Sequence, residues 1–311
     1  MQLKKLADFS VYVVVRLLAC SIQALPISAC AAISRFIGGM CWHLLKLRRE
    51  VLEENLRFAF PEKTPAEREA IAVAMWEHLL LMVMEIAHAP RKVRRTNWRN
   101  HSDVHGMKEF LRRLIDPRPT VIISGHLGNF ELGGYLLALH GFPTHTIARP
   151  LDNPYLDQFL TRFREATGQF MLPKMGSGQQ VASLLEQGGT LNLLGDQYAG
   201  EKGCWVNFFG RPASTHKAVA VLTLSGKAPT AVVGALRGRR PLTIDLHVAD
   251  IQDPLDDNFS LGTVPLLTEW YTQNLERLIR KAPEQYWWVH RRWKGQPMDR
   301  REMRRRRRQA A

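Results

Sequence analysis

The chain has 311 residues, 45% of them hydrophobic, and its 43 Lys and Arg against 29 Asp and Glu give a formal net charge of +14. This length allows one large domain or two small ones. The charge indicates an anionic partner, such as nucleic acid, an anionic membrane, a phosphorylated lipid or an acidic protein. The spacing of Cys20, Cys30, Cys41 and Cys204 excludes a disulfide framework and a zinc site, which favours chemistry on the cytosolic side.

Residues 9–34 are mostly apolar, although Arg16, Gln23 and Pro26 interrupt them. The segment is long enough to span a bilayer, whereas its internal Arg and Pro disfavour spanning and leave open an amphipathic hairpin in the interface. A soluble pair of core helices is the third possibility. We expect a membrane anchor over residues 1–40, with the following domain in the cytoplasm, because basic residues accumulate after the segment at Arg35, Lys46, Arg48 and Arg49.

The next region is predicted to be helical over residues 42–60 and again from Thr64 to about His88. Thr64, Pro65 and Glu67 have the pattern of a capped helix start with a capping box. His101 and His105 have the i, i+4 spacing of a metal pair, but the nearby sequence offers no third ligand of suitable spacing. We therefore predict no metal site.

From Pro119 onward, short apolar runs alternate with amphipathic stretches. This alternation predicts an α/β fold with a mostly parallel sheet flanked by helices, and only the last two strands suggest a hairpin. The α/β domain is assigned to residues 41–298, and the arginine-rich residues 299–311 are predicted to be a disordered tail. The predicted strands cover residues 120–124, 144–148, 190–195, 230–236 and 242–248, and the predicted helices cover residues 129–140, 154–166, 177–187, 214–226 and 262–281.

Residues 121–134 contain the candidate catalytic residues. Their sequence predicts a buried strand, a glycine turn and a helix. His126 falls at the carboxyl end of the strand, where open α/β sheets bind ligands, and Glu131 falls in the first turn of the helix. The turn brings the two side chains back towards each other, so that Glu131 could hold the imidazole tautomer while His126 takes a proton from a hydroxyl. Because Ser124 is not in a G-x-S-x-G elbow, the substrate hydroxyl is the expected nucleophile. The alternative is a His satisfied by its own turn.

Two further strand ends carry polar residues. Arg149 follows the strand-like residues 144–148 and could bind a phosphate or the oxyanion of a tetrahedral intermediate. Asn153 and Asp157 fit either a site or simple capping of the next helix. Asp196 ends another strand and should converge on the same rim, although a loop cap is the alternative.

The spacing His126-x-x-x-x-Glu131 resembles the H-x4-D/E motif of membrane acyltransferases, in the Glu form of the bacterial lipid A biosynthesis (lauroyl/myristoyl) acyltransferase family. The similarity extends from about residue 10 to residue 294, and the order of its motifs is more specific than any one of them. The matching segments are residues 55–56, 60–61, 149–154, 195–197, 208–215 and 285–293.

The resemblance implies a glycerolipid acyltransferase-like fold and an inner-membrane O-acyltransferase without a cofactor. It implies acyl carrier protein as the donor and a lipid A precursor, an anionic lipid, as the acceptor, esterified on the hydroxyl of a chain it already carries. It also implies His126 and Glu131 as catalytic residues and Arg149, Asn153, Asp196 and Gln197 as substrate-binding residues.

Two alternatives remain open at this stage. The same chemistry could act on another glycolipid, an aminolipid or a phospholipid, since relatives with other acceptors share these motifs. The chain could instead be a non-catalytic membrane- or nucleic-acid-binding protein. No helix-turn-helix, RNP or finger pattern accompanies the arginine tail, so specific nucleic-acid binding is not expected.

Overall fold

A computed structural model describes residues 2–297 of the protein. The predicted disordered tail, residues 299–311, lies outside the described residues. The helices are α1 Gln2–Ala24, α2 Ile27–His43, α3 Arg49–Ala59, α4 Pro65–Lys92, α5 Met107–Leu114, α6 Phe130–Leu139, α7 Pro154–Glu165, α8 Gly178–Glu186, α9 Ala218–Gly226 and α10 Val264–Lys281. The strands are β1 Ser102–His105, β2 Thr120–Ser124, β3 Thr144–Ala148, β4 Gln169–Pro173, β5 Thr190–Leu194, β6 Cys204–Phe208, β7 Arg211–Thr215, β8 Thr230–Arg237 and β9 Ile244–Gln252.

Seven strands form one sheet in the order β1-β9-β8-β2-β5-β3-β4. Neighbouring strands are parallel except for β8 and β9, which form an antiparallel pair. The predicted mostly parallel sheet and its terminal hairpin are therefore confirmed. Strand β2 lies at the centre, and β5 separates it from β3, so the sequence-adjacent strands β2 and β3 are not neighbours in space.

The central strand β2 is fully buried and contributes to a core on each face of the sheet. Val121 and Ile123 belong to the larger core, which also contains residues of α4 and α10, whereas Ile122 packs in a smaller core with Phe110 and Leu137. This division follows from the alternation of side chains along a strand. Burial on both faces explains why β2 reads as a continuous apolar run.

The N-terminal helix α1 leaves most of its large apolar side chains exposed. It packs along α4 and α7, where Gln23 Nε2 donates to Ala87 O over 2.7 Å and Phe9 meets the edge of Tyr155. Helices α1, over Leu3–Ala24, and α4 are long and apolar enough to cross a membrane, although the apolar window of α4 is one-third buried. The capping box at Thr64 and Glu67 is confirmed at the start of α4.

Several predicted boundaries were wrong. The predicted helix 42–60 is divided between α2 and α3 by residues 44–48, where Lys46 and Arg48 have positive φ angles. The predicted helix 214–226 begins only at Ala218, because Arg211–Thr215 pairs with Cys204–Phe208 as a hairpin and Lys217 is the N-cap. The short strands β1 and β4 were missed, because each lies at an edge of the sheet and its residues are not a continuous apolar run.

Candidate active site

The H-x4-E motif occupies the turn between β2 and α6. Asn129 is the N-cap of α6, and its Oδ1 accepts a hydrogen bond from Leu132 N over 3.1 Å. Gly128 has a φ of +64°, and a Cβ atom there would lie 1.8 Å from Ala235 O. Only glycine fits this position, because the left-handed backbone and the close contact with β8 both exclude a side chain. The sequence thus builds a turn that fixes His126 on one side and Glu131 on the other.

His126 is held by Asp196, which follows the neighbouring strand β5. The ring Nδ1 of His126 lies 2.9 Å from Asp196 Oδ1, and the main-chain N of His126 donates to Asp196 Oδ2, also over 2.9 Å. Because β2 and β5 are parallel and Ser124 pairs with Leu194, the two strands end side by side and place these residues together. Since Asp196 is ionised and accepts at both oxygens, the neutral ring carries its proton on Nδ1.

The electrostatics of the pair favour an imidazolium. Burial by itself would lower the pKa of His126, but the charge and hydrogen bond of Asp196 and the charge of Glu131 outweigh it and raise the pKa. Burial would raise the pKa of Asp196, but the contacts with His126 outweigh it and bring the pKa to about 2. Asp196 therefore stays ionised and favours a proton on the ring of His126.

The other ring nitrogen of His126 faces a polar group and two aromatic rings. Gln197 Nε2 lies 3.3 Å from His126 Nε2 and donates to it in this tautomer. The rings of Trp287 and Phe130 lie 4.9 Å and 5.1 Å from the imidazole centroid. Both ring nitrogens thus have protein partners, and the contact at Nε2 is longer than the contact at Nδ1.

Glu131 does not make the predicted orienting contact with the imidazole. Its carboxylate forms a buried, bidentate ion pair with Arg164 of α7, in which Arg164 Nε donates to Oε2 over 2.8 Å and Arg164 Nη2 donates to Oε1. Asp196 takes the orienting position because its strand is adjacent to β2, whereas α6 carries Glu131 away from the ring nitrogens. The charge of Glu131 still raises the pKa of His126, so the two residues remain coupled.

Arg149 and Asn153 lie apart from this cluster. The Arg149 side chain is 75% exposed and pairs with Asp152 on the surface. Arg149 follows β3, two strands along the same sheet edge from His126, which is roughly 10 Å at the usual strand spacing. Asn153 caps α7 by accepting from Tyr155 N and Leu156 N, and its Nδ2 donates to Asp8 O of α1. The capping alternative for Asn153 therefore describes its contacts.

Sequence reasoning missed two groups at the site. Nothing near Arg164 in the sequence marks it, and only the presence of a buried carboxylate in need of a cation could have suggested such a partner. The second group lies in residues 286–293, where the ring centroid of Trp287 is 4.9 Å from that of His126. Tyr286 and Trp288 are core residues, and the buried Arg292 donates to Ser214 O and Thr215 Oγ1.

Residues 1–295 match the family described as bacterial lipid A biosynthesis acyltransferase. The chain belongs to this family. Its similarity to the lipid A biosynthesis palmitoleoyltransferase of Escherichia coli K12 is 26% identity over 283 residues, which covers 88% of each chain. The lipid A biosynthesis lauroyltransferase of the same strain is 24% identical over 271 residues, which covers 84% of each chain.

Among solved structures, the chain is similar to the 1-acyl-sn-glycerophosphate (LPA) acyltransferase PlsC from Thermotoga maritima. The two share 12% sequence identity and a TM-score of 0.37, over 81% of this chain and 95% of that one. Membership of the lipid A acyltransferase family makes this chain an acyltransferase of lipid A biosynthesis. The family match includes His126, Glu131 and Asp196, so the described cluster lies within it.

Proposed function

We propose that the protein transfers a fatty acyl chain from an acyl carrier protein thioester directly to a hydroxyl of a lipid A precursor, with His126 as the general base. The observation that carries this proposal is the contact of His126 Nδ1 with the buried carboxylate of Asp196. This contact fixes the tautomer in which Nε2 is the basic atom and stabilises the imidazolium. A hydroxyl is a poor nucleophile at neutral pH, so such a base is what the reaction requires.

In the proposed reaction, the acceptor hydroxyl takes the place of Gln197 at Nε2 and gives its proton to the ring. The oxygen attacks the thioester carbonyl and forms the new C–O bond. The tetrahedral intermediate then collapses with loss of the C–S bond, and the imidazolium returns the proton to the departing thiolate. One proton and one acyl group move, and no acyl-enzyme is formed.

Glu131 and Arg164 have a supporting role in this proposal. The Glu131 carboxylate lies in the first turn of α6, where the helix dipole favours a negative charge, and its own charge favours protonation of His126. Arg164 neutralises and orients the carboxylate through a bidentate contact. The charge of Glu131 thus acts on His126 in the same direction as the charge of Asp196, so Glu131 assists the base electrostatically.

An apolar cavity of about 770 Å³ suits the acyl chains of the substrates. It lies between α1, α4 and α7, and Phe163 in its wall precedes Arg164 and stacks on Tyr135 of α6. The partner of Glu131, Arg164, is thus the next residue of α7 after one that lines the cavity. Arg16, Arg91 and Arg162 also contact it, which adds positive charge suited to an anionic lipid.

Helix α1 connects this cavity to a membrane surface. One side of α1 lines the cavity, while Leu3, Leu6, Val14 and Leu17 are exposed to solvent. Exposure of these apolar side chains to water is unfavourable, and a lipid bilayer would cover them. We propose that α1 anchors the protein in the inner membrane, with the sheet on the cytoplasmic side, so that the lipid acceptor enters from the bilayer.

The exposed Arg149 is proposed to bind a phosphate of the acceptor. Its position at the same sheet edge as His126, about two strands away, leaves room for a sugar head group between them. The net charge of +14 also suits an acidic carrier protein as donor.

The decisive experiment incubates the purified protein in detergent or vesicles with acyl carrier protein thioesters and a lipid A precursor that carries hydroxyacyl chains. Mass spectrometry of the lipid should show the mass of one added acyl chain, and His126→Ala should abolish the gain. Parallel reactions offer a phospholipid or an aminolipid as acceptor, and preferential acylation of these would overturn the acceptor assignment. Labelled acyl chain trapped on the protein at a residue required for turnover would overturn direct transfer.

A further inference from the structure

A buried carboxylate lies beneath the motif turn and belongs to α4. Glu85 is completely buried and accepts hydrogen bonds from Arg237 Nε and Nη2 over 2.8 and 2.7 Å, and from Leu242 N over 2.9 Å. Its Oε2 also accepts from Asn129 Nδ2 over 2.9 Å. Arg237 of β8 thus balances the charge of Glu85. Oε2 of Glu85 also holds Asn129, the residue that caps α6.

The same arginine reaches the turn by a second route. Arg237 Nη1 donates to His78 Nδ1, and because a guanidinium has no acceptor, His78 must carry its proton on Nε2. That Nε2 donates to Gly128 O over 3.1 Å. The buried network therefore ends on two consecutive residues, Gly128 and Asn129, both of which lie between His126 and Glu131.

The turn is also held through main-chain hydrogen bonds. Gly128 N donates to Gln285 O and Asn129 N donates to Ala235 O, each over 2.9 Å. The turn between the two motif residues thus has side-chain contacts from α4 and main-chain contacts from Gln285 and from β8. A buried ion pair is seldom more stable than an apolar replacement of the same size, so stability alone gives little reason for charges here.

We propose that Glu85, Arg237 and His78 are positioning residues that fix the turn and thereby the place of His126 relative to the Glu131–Arg164 pair. This inference rests on the proposed function, because its kinetic effect requires His126 to act as the base. The network acts through Gly128 and Asn129 and does not touch the reacting atoms.

The first test replaces Glu85 with Gln, which turns one acceptor into a donor that faces Arg237. We expect kcat to fall by at least tenfold while KM for both substrates stays within about threefold. The matched control is Asp253→Asn, which weakens another buried arginine–carboxylate cluster, with Arg118 and Arg113, at the opposite edge of the sheet. It should lower the melting temperature similarly and leave kcat unchanged.

The second test distinguishes a role of the network in positioning the turn from a role in stabilising the fold. The double variant Glu85→Gln with Arg237→Met removes both buried charges, so the melting temperature should recover relative to Glu85→Gln alone. If the network positions the turn, kcat stays low. Recovery of kcat together with the melting temperature would overturn the proposal, as would wild-type kcat in Glu85→Gln.

A measurement that does not depend on enzyme activity tests the positioning role separately from the proposed function. The ring of His126 is followed by NMR during a pH titration in wild type, His78→Gln and the Asp253→Asn control. Displacement of the turn weakens the contact of His126 N with Asp196. The pKa of His126 should therefore fall in His78→Gln and stay at the wild-type value in Asp253→Asn. An unchanged titration in a folded His78→Gln protein would refute the positioning role, whereas a wild-type protein that lacks acyl transfer would refute only the proposed function.

A second, independent observation lies on strands β1 and β9. Their parallel register sets His105 beside His247 and Asp103 beside Asp245, so all four residues share one face of the sheet. The rings of His105 and His247 are stacked with centroids 4.6 Å apart, and potential ligand atoms of these two residues and Asp245 lie within 4.8 Å of one another. Within residues 2–297, these three side chains have no hydrogen bond or ion pair to another group.

We propose that His105, His247 and Asp245 bind a divalent transition metal ion, with Zn²⁺ as the probe, and that the ion fastens the edge strand β1 to β9. Two imidazoles and a carboxylate are a suitable donor set for Zn²⁺. His101, which has the i, i+4 spacing to His105, is not part of this group, because its Nδ1 donates a hydrogen bond to Leu242 O.

Isothermal titration of the full chain with Zn²⁺ tests this site. We expect one ion per chain and a rise in melting temperature, with affinity at least tenfold weaker in His247→Ala and unchanged in His101→Ala. Lys281 exerts a repulsive charge at His247, so Lys281→Met should strengthen binding. Binding of equal affinity in wild type and His247→Ala, or no binding in wild type, would overturn the proposal.

Discussion

Replacing Asp196 with Asn perturbs the catalytic base without changing the size of the side chain. Asp196 accepts from the ring of His126 with one oxygen and from its main-chain N with the other. Asn has one acceptor and one donor at these positions. If the new amide NH2 faces the ring, Nδ1 must become the acceptor and the proton moves to Nε2, the atom that has to receive the proton of the substrate hydroxyl.

The expected loss of kcat follows from the attraction between the ionised Asp196 and the protonated ring of His126. The pKa of Asp196 falls from its ordinary 3.8 to about 2 against the effect of burial, which corresponds to roughly 2 kcal/mol. Loss of that stabilisation from an imidazolium-like transition state lowers kcat by about 10- to 100-fold. The unfavourable tautomer adds to this, so we expect a total loss on the order of 10² to 10⁴.

The assay measures kcat and kcat/KM against pH in wild type, Asp196→Asn and the control Asp253→Asn. Because His126 must be neutral to accept a proton, kcat/KM rises with pH through the pKa of His126. Asp196 raises this pKa, so the acid limb should move to lower pH in Asp196→Asn. A folded Asp196→Asn protein with wild-type kcat, or with an acid limb at the same or higher pH, would refute the assignment of Asp196 as the partner of the base.

Three further predictions concern the surrounding residues. Glu131→Gln should reduce kcat by less than His126→Ala, because its charge acts on the ring without a direct bond, and kinetics of the two variants under saturation compare them; an equal loss would mean that the residues act as a unit. Arg164→Met should destabilise the protein by about 3–5 kcal/mol in urea unfolding, because it leaves the buried Glu131 carboxylate unpaired. Arg164→Met combined with Glu131→Gln should recover much of this loss of stability. An unchanged stability of the single variant would contradict a buried ion pair. Arg149→Ala should raise the KM of a phosphorylated acceptor and leave that of a dephosphorylated acceptor unchanged, without a change in melting temperature, because the side chain is exposed; equal effects on both acceptors would remove the phosphate contact.

The strand–turn–helix around His126 and most of the sheet could be predicted from the sequence because their signals are local. The apolar run of β2, the glycines of the turn and the Asn129 cap act within a few residues of one another. The same is true of the capping box at Thr64. The hairpin of β6 and β7 was not predictable in this way, because Arg211–Thr215 becomes a strand only through its pairing with Cys204–Phe208.

The sequence by itself determined the motif, the class of fold and the sheet edge at which the polar residues gather. Only the tertiary structure decided which of those residues meet. Strand β5 inserts between β2 and β3, so Asp196, 70 residues from His126, reaches the ring, while Arg149 is separated from it by a strand. Glu131 likewise finds Arg164 because α7 packs beside α6. Hydrogen bonds and ion pairs act over about 3 Å, so the partner of a side chain is set by the order of strands and the packing of helices, which local sequence patterns do not encode.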